Sequence, residues 1–143
     1  MAFGARLSRA VGERPCLIFL EGDLGAGKTT LVRGFLRERG HEGAVRSPTY
    51  TLVEPYLLDG ITLYHLDLYR LVDAEELEFL GLREMLDGRA ILFIEWPERG
   101  GGVLPEPDLR IRIGHLDNGR ELSLHAGSAV GQALIDELKH SPI

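Results

Sequence analysis

An apolar pentapeptide, Cys16-Leu-Ile-Phe-Leu20, runs into Gly22-Asp-Leu-Gly-Ala-Gly27-Lys28-Thr29, and an amphipathic stretch follows at once. Few folds accept that succession. The pentapeptide reads as a strand buried on both faces. From Lys28 to Arg39 the residues Leu31, Val32, Phe35 and Leu36 share a helical face, and Gly40 is placed to end the helix. The octapeptide between them fits G-x-x-x-x-G-K-[ST] at each fixed position. Its glycines let successive backbone N–H groups turn inward, and the helix start adds the positive end of its dipole. Such a loop holds phosphate. Lys28 would reach the β- and γ-phosphates of a nucleotide, and the Thr29 hydroxyl would serve a Mg²⁺ ion. A chance glycine turn before a helix is the competing reading, and the strand before it and helix after it count against that.

The remaining chain supplies alternating layers. Phe3 to Val11 can form a short helix. Thr51–Leu58 and Ile61–Tyr69 are strand candidates joined at Asp59-Gly60, a hairpin signal. Ala74 to Leu86 is helical in composition, with a break near Gly81, and Ala90-Ile-Leu-Phe-Ile94 is another buried strand. Pro97 to Pro107, with three consecutive glycines and three prolines, predicts a loop. Leu109 to Ile113 alternates strictly, which puts Arg110 and Arg112 outward, and Asp117-Asn118-Gly119 turns it into Glu121–His125. Ser128 can cap a last helix on which Val130, Leu134 and Leu138 align. The expected fold is α/β: one P-loop NTPase-like domain over residues 1–143, with a mixed parallel and antiparallel sheet flanked by helices.

In Arg46-Ser-Pro-Thr-Tyr-Thr-Leu-Val-Glu54, three hydroxyls, Ser47, Thr49 and Thr51, occupy every second position. Pro48 disfavours helix at Ser47, so the segment is expected to run extended with its hydroxyls on one side. They then face either solvent on an edge strand or, as a switch, the γ-phosphate of a nucleotide held at 22–29. Two carboxylates are candidates for the same chemistry. Glu95 closes the strand Ile91–Ile94, at the carboxyl end where α/β proteins bind ligands, and is a candidate for the metal. Asp67, in Leu63-Tyr-His-Leu-Asp-Leu-Tyr69, could hold a metal-bound water or orient the attacking one; a hydrogen-bonded strand aspartate is the plainer alternative. Trp96 follows Glu95, and packing is its ordinary role. The five histidines show no metal-ligand spacing; His65, near Asp67 in the chain, reads as structural.

Composition narrows the function. A net charge of −6 argues against strong unaided nucleic-acid binding, since that requires cations on phosphates. Only Lys28 and Lys139 among the 16 cationic residues are lysines, so a compact ammonium at 28 is a departure from the chain's habit. Cys16 is the one cysteine, which suits the cytosol and leaves no disulfide. The first residues have no continuous apolar run of the signal-peptide kind, and nothing approaches the ~18 apolar residues of a membrane span.

The blocks LEGDLGAGKTTLVRG, SPTYTLVE, LYHLDLYRL and IEWPERG, in this order, resemble TsaE (the YjeE family), between roughly Phe19 and Ile113. The resemblance implies a small ATP-binding domain with slow intrinsic, partner-stimulated hydrolysis. It implies a cytoplasmic role in threonylcarbamoyladenosine (t6A) modification of tRNA, with partners TsaB and TsaD and with tRNA met only through that complex. By the same resemblance Gly22, Asp23, Leu24, Gly25, Ala26, Gly27, Lys28, Thr29 and Thr30 bind nucleotide, with Trp96 nearby. Thr29 and Glu95 are metal-associated, Asp67 and Glu95 are catalytic, and Ser47 to Thr51, with Ser47 and Thr49 acting in catalysis, form the switch. No N-K-x-D segment occurs, which favours ATP over GTP. A small-molecule kinase, with Arg70, Arg83 or Arg89 in a lid, and a nucleotide-gated binding module are the alternatives.

Overall fold

A computed structural model describes residues 2–23, 26–117 and 119–140. In chain order the elements are α1 (Ala2–Val11), β1 (Cys16–Glu21), α2 (Lys28–Glu38), β2 (Val53–Leu58), β3 (Ile61–Asp67), α3 (Glu76–Phe79), α4 (Leu82–Met85), β4 (Ala90–Glu95), β5 (Leu109–Leu116), β6 (Gly119–Ala126) and α5 (Ala129–His140). Six strands form a single sheet in the order β2-β3-β4-β1-β5-β6. Its centre, β3-β4-β1-β5, is parallel, and the outer strands β2 and β6 pair antiparallel to their hairpin partners. This is the expected mixed α/β sheet. No helix among the described residues is long and apolar enough to cross a membrane.

Strands β1 and β4 are apolar up to their closing glutamates because both of their faces are covered. Ile18 and Leu20 of β1, Leu63 of β3, Ile91 and Phe93 of β4 and Ile111 of β5 meet Leu31, Val32, Phe35 and Leu36 of α2 in one core. Leu17, Phe19, Leu66, Leu92 and Ile94 point the other way, under Leu77, Leu82 and Met85 of the two short helices. Phe35 and Phe93 meet edge to face, with ring centroids 5.0 Å apart, and fix α2 over β4. At the opposite end of the sheet Asp108 accepts the Leu17 amide at 2.8 Å and the Ser128 hydroxyl at 2.6 Å. Ser128 in turn accepts the Gly131 amide at 3.2 Å, the cap expected of it. Cys16 is buried, and burial pushes its thiol up to about 12, so it is an inert core group.

Three expectations need correction. The hydroxyl segment is not an extended strand: residues 49–52 form a turn and bend, closed by the Leu52 amide donating to the Pro48 carbonyl at 2.8 Å, with Leu52 at φ 69°. Proline keeps the preceding residue extended, but its own fixed φ suits the start of a turn, and here that effect decides the path. The second hairpin strand stops at Asp67 rather than Tyr69. The Asp67 carboxylate caps the Tyr69 amide at 2.9 Å, and the Leu68 amide donates to the Glu95 carbonyl at 3.1 Å. Residues 97–103, expected as loop, form 3-10 turns kinked at Gly101, begun by Pro97 at the first helical position.

Because α2 carries the motif lysine, its seating governs the site. Phe35→Ala is expected to cost about 3–5 kcal/mol in urea unfolding. A loss below about 1 kcal/mol would show that α2 is held elsewhere.

Candidate functional site

Period-two geometry in the strands decides what meets at the carboxyl edge of the sheet. On β4, Ile91, Phe93 and Glu95 share the α2 face; on β3, Leu63, His65 and Asp67 do. The parallel register sets Asp67 beside Glu95 and His65 beside Phe93. The apolar members of both series pack beneath α2, and the polar members arrive at its first turn. There Thr29 Oγ1 lies 3.5 Å from Glu95 Oε2, and Lys28 Nζ lies 3.9 Å from Glu95 Oε1. Gly27 (φ 107°) precedes the helix and Gly22 (φ 149°) follows β1. A Cβ at Gly22 would stand 2.6 Å from the Ile113 carbonyl oxygen, so the loop can leave β1 here only as glycine.

A cavity of about 260 Å³ is lined by Gly27, Lys28, Thr29, Thr30, Ser47, Thr49, Asp67, Glu95 and Arg120. Its donors and acceptors are already ordered. Ser47 Oγ and Thr49 Oγ1 lie 2.8 Å apart, and Thr49 Oγ1 donates to Asp67 Oδ2 at 3.2 Å. Thr51 is not part of this group, because beyond the turn its hydroxyl donates to Glu54 at 3.2 Å. Two of the three expected hydroxyls thus reach the cavity, and they do so by bending rather than by extending.

Lys28 is only 4% exposed. Its ammonium donates to the Gly22 carbonyl at 2.7 Å and lies 4.2 Å from the centre of the Trp96 ring. Burial pulls its pKa below the ordinary 10.5, and the facing Glu95 and Asp67 only partly offset this. Trp96 sits at φ 56°, its ring 5.1 Å from that of Tyr69. It lines a neighbouring cleft of about 380 Å³ with Gly22, Asp23, Glu98 and Arg112, and is not among the residues lining the cavity that holds Thr29 and Asp67. Asp23 likewise faces that cleft, while Ala26 is buried. Leu24 and Gly25 lie outside the described residues.

Two residues of the site were missed by the motif reading. His65, fully buried, places Nε2 2.6 Å from Glu95 Oε2. Its signal in the sequence was its two-residue offset from Asp67, which puts both on one strand face. Arg120 comes from β6 and donates Nε to the Ala26 carbonyl at 2.6 Å, binding the phosphate loop to the far hairpin. Nothing in the local sequence marks it. Conversely, the arginines considered for a lid lie elsewhere: Arg70 stacks on Tyr50, and Arg83 and Arg89 pair with Glu78 and Asp87.

The oxygen donors Thr29 and Glu95, with Asp67 beside them, fit a hard divalent cation. No group of three or more His, Cys, Asp or Glu that could enclose a metal occurs among the described residues. Mg²⁺ does not need one, since it is bound through one or two protein oxygens, phosphate oxygens and retained waters.

Lys28 carries a cost that follows from its burial. With its folded-state pKa lowered, the penalty is full below that pKa and disappears as pH rises past the ordinary 10.5. Lys28→Met is therefore expected to raise the urea midpoint of the protein near neutral pH, measured without added phosphate compounds. A lowered midpoint would mean that the Gly22 and Glu95 contacts outweigh desolvation.

The family model described as "Threonylcarbamoyl adenosine biosynthesis protein TsaE" matches residues 1–122. The tRNA threonylcarbamoyladenosine biosynthesis protein TsaE of Haemophilus influenzae is 50% identical over 123 residues, covering 86% of this chain and 78% of the relative. That of Bacillus subtilis is 38% identical over 94% of this chain and 84% of its own. The crystal structure of Bacillus subtilis YdiB superposes with a TM-score of 0.78 at 32% identity, over 96% of this chain and 85% of that one. A family match over residues 1–122, with relatives 50% and 38% identical over most of their length, shows that the chain belongs to the TsaE family.

Proposed function

We propose that this chain is a Mg²⁺-dependent ATPase of tRNA threonylcarbamoyladenosine synthesis, working in the cytoplasm through TsaB and TsaD and meeting tRNA only in their complex. The observation that carries the reading is one cavity in which the phosphate-loop residues Gly27–Thr30 face Asp67, Glu95, Ser47 and Thr49. Names of the relatives supply the pathway, and the cavity supplies the chemistry.

The residues divide the work by reach and charge. The amides at the start of α2 and the Lys28 ammonium bind the β- and γ-phosphates. Thr29 and Glu95 hold the metal, which when bound neutralises phosphate charge. Asp67, whose Oδ1 is occupied by the Tyr69 amide, keeps Oδ2 toward the cavity and orients the attacking water. Ser47 and Thr49 donate to the γ-phosphate, and Thr49 must then leave Asp67, which links γ-phosphate contact to the state of the carboxylate. Arg120 adds a cation beside the loop. A kinase reading has less support, since the lid arginines it would use are engaged with Tyr50, Glu78 and Asp87 and do not line the cavity.

Lys28→Ala is expected to abolish measurable ATP binding in calorimetry; unchanged affinity would sink the phosphate-site assignment. Thr49→Val keeps the side chain's shape and removes its hydroxyl. Hydrolysis stimulated by TsaB and TsaD should fall severalfold while ADP affinity stays near wild type, because ADP lacks the group that Thr49 contacts. A wild-type rate would leave Thr49 as a structural partner of Asp67 only.

A further inference from the structure

We propose that His65 is a positioning residue for Glu95: it keeps this carboxylate on the phosphate cavity while Lys28, the carboxylate's other charged neighbour, serves the phosphates. The inference rests on the nucleotide reading above and goes one residue beyond it.

The two neighbours of Glu95 differ in kind. Lys28 approaches Oε1 at 3.9 Å, beyond hydrogen-bond range, and its ammonium donates instead to the Gly22 carbonyl at 2.7 Å. Its long stem lets the ammonium follow a phosphate. His65 is attached to the adjacent strand, has no exposed surface, and donates from Nε2 to Oε2 at 2.6 Å. Strand register fixes the contact: β3 and β4 run parallel with His65 opposite Phe93, so the imidazole reaches diagonally to the residue two further along. The same Oε2 is the oxygen nearest Thr29 Oγ1, at 3.5 Å. His65 therefore holds the oxygen that, with Thr29, forms the metal-facing pair.

The other ring nitrogen supports this. Nδ1 is buried and has no hydrogen-bond partner among the described residues. A histidine kept only for packing would lose nothing as leucine and would spare that buried orphan. What distinguishes histidine here is its Nε2–H. A second-sphere donor of this sort fixes the orientation of a ligand and is worth ~10–100-fold in metal affinity where it has been removed elsewhere.

The test uses the full-length protein, ADP and a non-hydrolysable ATP analogue, with calorimetry in EDTA and across a MgCl₂ series. His65→Leu removes the donor at nearly the same volume. It should bind nucleotide in EDTA nearly as wild type does, yet need about ten times more Mg²⁺ to reach the metal-enhanced affinity. His65→Gln carries an amide N–H to the place of Nε2 and should restore most of the wild-type Mg²⁺ requirement. A His65→Leu protein with the wild-type Mg²⁺ requirement, whether or not its melting temperature drops, would overturn the proposal. So would equal impairment of the Leu and Gln variants. If wild type itself gains no affinity from Mg²⁺, the metal-dependent nucleotide reading fails first, and that outcome is distinct from a change confined to the variants.

Discussion

A single buried carboxylate joins the elements from which the site is built. Glu95 belongs to β4, receives the imidazole of β3, and faces the hydroxyl and ammonium of α2. A carboxylate at 3% exposure is costly without such partners. Each partner therefore constrains the fold as well as the chemistry. A one-residue slip of β3 against β4 would turn His65 and Asp67 to the opposite face and leave Glu95 facing apolar side chains. Leu63, on the same face of β3, would leave its place beside Ile91 and Phe93 in the same step. Core and site are two ends of one alternation, and the register that packs the core also assembles the site.

That alternation is the part of the molecule that could be read from the chain. Cys16–Leu20, the glycine-bounded loop and the face of Leu31, Val32, Phe35 and Leu36 led to β1, the phosphate cradle and α2, because each is local. Glu95 and Asp67 were found as carboxylates at strand ends. His65 was passed over because its role depends on which strand lies next to β3, a fact of sheet order and not of spacing. Arg120 was invisible for a stronger reason: it reaches Ala26 across 94 positions of sequence. The hydroxyl segment failed differently. Its residues were the right ones, but Pro48 was read through its effect on Ser47 alone. The carbonyl of Pro48 then captured the Leu52 amide and bent the row.

The bend has consequences an extended row would lack. It gathers Ser47 and Thr49 within 2.8 Å and sends Thr51 to Glu54. The segment is anchored by few side chains, with Val45 and Pro48 buried and Tyr50 largely exposed against Arg70. Few buried contacts make a segment cheap to move. It meets Asp67 twice, through the Thr49 hydroxyl on the carboxylate and through the Leu52 carbonyl, which accepts the Asp67 amide at 3.0 Å, and a competing anion in the cavity acts on the first of these.

The irregularities of the backbone lie where this chemistry is. Among the described residues only two non-glycine residues have positive φ, Leu52 and Trp96. One ends the hydroxyl turn; the other follows Glu95. A non-glycine residue in the left-handed region costs roughly 1–3 kcal/mol and persists only where its surroundings over-determine it. Both residues are partly buried against the core formed by Leu17, Phe19, Leu66 and Ile94. That core lies on the sheet face opposite α2, away from the carboxylates it supports. A sheet covered on one face only would have no such second core to fix Leu52 and Trp96, and its carboxyl edge could relax toward ordinary turns. The doubly covered sheet thus does more than satisfy its own strands: its second face packs the two left-handed residues, Leu52 at the end of the hydroxyl turn and Trp96 beside Glu95, whose ring lies 4.2 Å from the Lys28 ammonium.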